Sequence, residues 1–116
     1  MERALADLEY QSSRPAASDR LLQRLSNKHG VALGTLQGQL SRNPGVTVPQ
    51  LYVATIIAKE SRSTTDQVLQ ERKSGASWGD IAHSHKVAFL TVAERLRAAE
   101  DAARQAANTE QIRSVR

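Results

Sequence analysis

The side chains able to do chemistry are few, and their spacing argues against an active centre. His83 and His85 lie two residues apart. On a helix, positions i and i+2 point to different sides, whereas a helical zinc pair needs i and i+4. His29 is remote in sequence. Carboxylates stand beside cations, Glu60 next to Lys59 and near Arg62, and Glu71 next to Arg72. That pattern suits surface ion pairs of small energy. With no cysteine, disulfides, thiolate metal sites and thiol nucleophiles are excluded. There is no glycine-rich phosphate loop and no nucleophile elbow. Thr47, Ser63 and Ser77 are accounted for as helix caps. The expectation is a non-enzymatic protein with no cofactor, no metal site and no small-molecule substrate.

The helices that would carry these residues are legible from their stops and starts. The composition is alanine-rich, with one Trp, two Tyr and one Phe as its only aromatics, and no convincing period-two alternation. Glu2 to Gln11 reads as a short helix with Leu5 and Leu8 on one face, broken by "SSRPAAS", where Pro15 disfavours a helical Arg14. Ser18 is the expected N-cap of a helix over 19–28, Leu21, Leu22 and Leu25 its apolar stripe, and Gly30 its stop. Leu33, Leu36 and Leu40 continue at helical spacing, although Gly34 and Gly38 each cost roughly 1 kcal/mol against Ala. "NPG" at 43–45 is a turn. Thr47 caps the next helix, with Pro49 in its first turn. "LYVATIIA" at 51–58 is apolar on nearly all sides, as a central core helix must be. Ser63 with Asp66, and Ser77 with Asp80, have capping-box spacing. They open helices over 64–73, with Gly75 as its stop, and 78–84. The last helix is expected from Phe89 to about Ala107, with an inner stripe of Val92, Leu96, Ala99, Ala103 and Ala106.

These elements define an all-α fold, a compact bundle of about five to six short helices. The segment 1–17 would be an N-terminal helix and linker, 18–107 the helical domain with units at about 19–58 and 62–107, and 108–116 a flexible tail. Two stretches echo each other, 29–54 and 62–84, each a helix, a tight turn and a capped helix. The echo implies two stacked hairpins with pseudo-twofold packing, followed by the C-terminal helix.

The net charge is +4, unevenly spread. Arg20, Arg24, Lys28, Arg42 and Lys59 occupy the 20–59 stretch, which contains no acidic residue, whereas 63–116 holds eight basic and seven acidic residues. A field of that sign attracts phosphate or an acidic protein. No apolar run approaches the roughly 18 residues of a membrane span, and the start of the chain lacks a signal peptide's apolar middle. A soluble protein is expected, cytoplasmic by default, although a mature exported chain would read the same way.

The stretch "SGASWGDIAHSHKVAFLTVAERL" (74–96) scans as a helix-turn-helix. Ile81 and Ala82 fall on the first helix, Val87 in the turn, and Val92 and Leu96 inside the second. This resembles the "IA…GV…TV…RL" pattern of bacterial transcriptional regulators and recombinases, which implies a helix entering the DNA major groove. Two departures bear on that implication. His85-Lys86 replaces Leu-Gly at the turn, and Ala88, Phe89 and Leu90 stand where polar base-reading residues belong. Phe or Leu can touch a thymine methyl, but neither makes the bidentate hydrogen bonds that separate bases.

A longer resemblance runs over 51–87. An apolar helix ending in Ala-Lys, a capped helix with Val-Leu and then "SG-x-x-WG-x-IA" are similar to a repeated module of uncharacterised small bacterial proteins, many of them exported. That resemblance implies structural roles for Trp78, which would lock two helices, and Gly79, which would permit their close approach. Arg62 stands where that module has glycine.

Two function classes follow. One is a non-enzymatic interaction module with a protein partner or a second copy of itself. Its surface would hold Phe89 and Leu90 with Lys86, Arg95 and Arg97, upon a scaffold of Trp78, Gly79, Ile81, Ala82, Val92 and Leu96. The other is a helix-turn-helix DNA-binding protein that uses either the same unit or the basic first half, with Thr35, Gln37, Gln39, Ser41 and Arg42 as polar contacts. The apolar character of Phe89-Leu90 favours the first.

Overall fold

A computed structural model describes residues 2–11 and 15–114, with side chains described at 3, 5–10, 16–102 and 105. The described residues form helices α1 (Glu2–Gln11), α2 (Pro15–His29), α3 (Leu33–Arg42), α4 (Val48–Ser61), α5 (Thr65–Lys73), α6 (Trp78–Ser84) and α7 (Phe89–Ser114). The protein is all-α. It has seven helices among the described residues rather than five to six, because both weakly signalled segments, α1 and the glycine-bearing α3, are helical. In α3 the burial of Leu36 and Gln39 outweighs the modest helical cost of Gly34 and Gly38.

Helix α4 is the hub and packs against α1, α2, α3, α5 and α7. Val48, Pro49 and every residue from Leu51 to Ala58 are buried, in accord with the nearly all-apolar sequence of 51–58. Thr55, the polar exception, donates its hydroxyl to the Leu51 carbonyl at 2.8 Å, so its burial leaves no orphaned donor. Thr47 caps α4 by accepting from the Gln50 amide, and Pro49 lies in the first turn, where a missing N–H costs nothing. Leu5 and Leu8 from α1, Leu21, Leu22 and Leu25 from α2, and Val92, Leu96 and Ala99 from α7 close around this hub.

Several boundaries differ from the sequence reading. Helix α2 begins at Pro15, so Ser18 sits inside it; proline is compatible with a first helical position, having no N–H to leave unpaired. Of the break expected over 12–18, residues 15–18 are instead the first turn of α2 and 12–14 lie outside the described residues, as do the side chains of Ala103 and Ala106. The cap of α5 is Thr64, which accepts from the Gln67 amide, and not Ser63. Adjacent hydroxyl residues compete for one cap, and Ser63 is taken by other partners (below). Helix α7 runs through Ser114 instead of stopping near Ala107. The expected stops are in place, with Gly30, Gly45 and Gly75 all at positive φ, where an L side chain is disfavoured.

No described helix is long and apolar enough to cross a membrane. No group of three or more described His, Cys, Asp or Glu is placed to hold a metal ion.

Candidate functional site

Three helix-to-helix corners among the described residues share one backbone design and its buried flanks; a fourth, α5–α6, makes the same bond from Ala76 to the Glu71 carbonyl after left-handed Gly75, but has exposed Gln70 in the flanking place. At α2–α3 the Val31 amide donates to the Ser26 carbonyl, at α4–α5 Ser63 donates to Ala58, and at α6–α7 Val87 donates to Ala82. The residue before each donor is left-handed, Gly30 at φ 66°, Arg62 at 59° and Lys86 at 59°. This six-to-one bond around a left-handed residue satisfies a helix-terminal carbonyl and turns the chain sharply. Two residues after each donor a new helix starts, at Leu33, Thr65 and Phe89. The residue before each accepting carbonyl (Leu25, Ile57, Ile81) and the residue ten after it (Leu36, Val68, Val92) are buried. These positions are where a helix-turn-helix needs small or apolar contacts.

The first and third corners also match in sequence. "HGVALGTL" at 29–36 aligns with "HKVAFLTV" at 85–92, and Thr35 and Thr91 each donate a backbone amide to Ala32 and Ala88 at 3.0 Å. The structural repeat thus falls on corners, whereas the sequence reading placed it on the α3–α4 and α5–α6 hairpins. Those hairpins do share a cap two residues after a left-handed glycine, Thr47 after Gly45 and Ser77 after Gly75. The corners escape a simple repeat search because they are unevenly spaced, 32 residues from Gly30 to Arg62 and 24 from Arg62 to Lys86.

What the corners present differs. At α6–α7, Phe89 is 48% and Leu90 66% exposed. The Phe89 ring lies over α6, with its Cε2 3.5 Å from where a Cβ on Gly79 would stand, an ordinary van der Waals contact. Beside the exposed pair are Lys86 in the turn and Arg97 on α7, against Asp80 on α6 and Glu94 on α7; exposed Asp101 lies further along α7. Arg95 turns elsewhere and pairs with Glu60 at 2.5 Å. At α2–α3 the corresponding positions are half-buried Leu33 and exposed Gly34, followed by exposed Thr35, Gln37, Ser41 and Arg42, with Gln39 turned inward.

Below the exposed pair the scaffold is closed. Trp78, Ile81, Ala82, Val92 and Leu96 are each at most 1% exposed. The Arg72 guanidinium sits 5.3 Å from the Trp78 ring centroid and donates to the Ala76 carbonyl at 3.0 Å. A polar clasp fixes the third corner to the second. His85 meets Glu71 through Nε2 at 2.6 Å and Ser63 Oγ through Nδ1 at 3.2 Å. Both ring nitrogens are engaged, so the imidazole joins α5, α6 and the turn before α5. Histidine at this position gave no such signal in sequence, since its partners lie 14 and 22 residues away.

The basic residues of 20–59 separate in space. Arg24 and Lys28 line a cavity of about 330 Å³ with His29, Tyr52, Arg95 and Ala98. Lys59 lies close enough to act on His29. Arg42 instead pairs with Asp66 at 3.5 Å, and Arg20 is exposed on α2. His29 is held below its ordinary pKa, first by burial and then by the charges of Arg95, Lys59, Lys28 and Arg24. Burial raises the Tyr52 phenol above its ordinary value, partly offset by Arg24.

Compared with known proteins, the chain matches no family model, and no curated protein or solved structure shows significant similarity to it.

Proposed function

We propose that this chain is a non-enzymatic helical module that self-associates through its α6–α7 corner. The observation that carries this reading is the exposure of Phe89 and Leu90 at a corner whose geometry does not require them. The same turn is made at α2–α3 with Leu33 and Gly34, and at α4–α5 with Thr65 and Asp66. Two adjacent large apolar side chains held in water by a rigid frame suit a binding surface. The surrounding charge favours a second copy as the occupant. Lys86 and Arg97 balance Asp80 and Glu94, so a self-complementary twofold contact, in which residue i meets j and j meets i, has both signs to pair. The apolar centre is small beside the roughly 800 Å² per partner of a standard interface, so the dimer is expected to be weak and concentration-dependent.

Sedimentation equilibrium on the full chain tests this reading. The expected result is a monomer–dimer equilibrium at high concentration that Phe89→Ser with Leu90→Ser abolishes while the helical circular dichroism is unchanged. A chain that stays monomeric at all concentrations would refute self-association.

A second reading, DNA binding, is supported by the polar face of α3 (Thr35, Gln37, Ser41, Arg42) after a glycine-turned corner. Gel shifts on duplex DNA at low salt test it, with retardation that falls steeply as salt rises expected and none seen if the reading fails.

A further inference from the structure

The cavity between α2, α4 and α7 gathers more positive charge than the fold needs. Arg24 and Lys28 stand one turn apart on α2, and Arg95 enters from α7. Tyr52 and Lys59 belong to α4, and Lys59 acts with the other three cations on His29. Glu60 is the carboxylate placed against this group, and it is bound to Arg95. The Arg24 guanidinium donates to the Tyr52 hydroxyl, yet its Nε is buried with no hydrogen-bond acceptor, an arrangement that costs stability unless something accepts from it. The rings of His29 and Tyr52 meet edge to face with centroids 5.6 Å apart and form a firm aromatic wall.

We propose that this cavity binds the phosphoryl group of a small phosphomonoester. A phosphoryl dianion supplies oxygen acceptors for the Arg24 guanidinium and the Lys28 ammonium, and charge-assisted bonds of that kind are the strong ones. The Tyr52 hydroxyl adds a neutral donor. A cavity of about 330 Å³ exceeds what inorganic phosphate fills, and the remaining space beside Ala98 and the two rings suits a small organic body. This site is separate from the α6–α7 corner and does not depend on self-association.

The test is an amide-resolved NMR titration of the full chain carrying Phe89→Ser and Leu90→Ser, so that oligomerisation plays no part. The probes are inorganic phosphate, phenyl phosphate and a short DNA duplex, at ionic strength held constant with chloride because exposed charges are screened by salt. Saturable shifts at the amides of Lys28, His29, Tyr52 and Arg95 are expected with both phosphates, tighter with phenyl phosphate. Arg24→Gln should weaken them by about tenfold or more, and exposed Lys28→Gln by less, with circular dichroism unchanged in at least the Lys28 variant. Linear, unsaturable shifts, or equal affinity in wild type and both variants, would overturn the proposal. So would a duplex that moves these amides where phenyl phosphate does not, since that assigns the cations to nucleic acid.

Discussion

At the α2–α3 corner the chain turns on Gly30 and enters its second helix through Leu33-Gly34; at α6–α7 it turns on Lys86 and enters through Phe89-Leu90. The hydrogen bonds, the histidine before the turn and the buried residue at Leu36 or Val92 correspond. The surfaces do not, one being polar and glycine-lined and the other apolar. Packing therefore dictates the inner residues of such a corner and leaves the outer ones open to other demands. The proposed self-association rests on that exposed apolar pair.

The largest effects should come from the inner residues that the corners share. Leu36→Ala opens a cavity beneath α2–α3 and should cost about 2–5 kcal/mol. Val92→Ala, which removes a smaller side chain, should cost less. Chemical denaturation of both variants checks the order, and the reverse order would mean that the two corners are not equally packed. The clasp distinguishes them next. His85→Ala removes the ring from between Glu71, which water can still reach, and Ser63, which keeps its bond to Ser61, and should destabilise by about 0.5–1.5 kcal/mol.

His29 should make itself felt through pH. Its folded pKa is depressed by burial and by Arg95, Lys59, Lys28 and Arg24, so below its unfolded value of about 6.5 the unfolded chain binds the extra proton. Stability is then complete above that pH and is lost as pH falls toward the folded pKa, with a slope of at most about 1.4 kcal/mol per pH unit. Tyr52 also faces this region, but burial pushes its phenol above its ordinary value, far from that window. His29→Asn should flatten the acid side of a thermal-melting series recorded from pH 7.5 to 5.5. An unchanged slope would remove His29 as its source.

The smallest effects should come from the turn residues. Lys86 and Arg62 hold a left-handed conformation that costs an L residue roughly 1 kcal/mol. Lys86→Gly and Arg62→Gly should each raise stability by about 0.5–1 kcal/mol, while Gly30→Lys should lower it by a similar amount. Thermal melts of the three variants would show whether glycine is interchangeable between corners.

Much of this architecture is written locally in the chain. Thr47 and Ser77 are caps by residue type and position, Gly30, Gly45 and Gly75 mark left-handed turns, and 51–58 is apolar enough to be the buried hub. Where local chemistry is degenerate, the reading slips. Ser63 and Thr64 are both able to cap α5, and only the tertiary claim of His85 and Ser61 on Ser63 decides between them. Arg62 and Lys86 carry no glycine to announce a left-handed turn, which hides two of the three corners. The repeat is blurred because its conserved feature is a turn with buried flanks, not a run of identical residues. The cavity is illegible for another reason. Arg24, Tyr52 and Arg95 come from three helices, and nothing local in any of them says that they converge.

The absence of cysteine gives a direct test of which corner meets its copy. A single nitroxide label is placed either at His83→Cys, exposed on α6, or at Gln37→Cys, exposed on α3, and distances between protomers are measured by pulsed dipolar spectroscopy at high concentration. Self-association through Phe89 and Leu90 requires a short, well-defined distance for the His83 label and a longer one for the Gln37 label, both lost with Phe89→Ser and Leu90→Ser. A shorter distance at Gln37, or no dipolar coupling at either site, would contradict it.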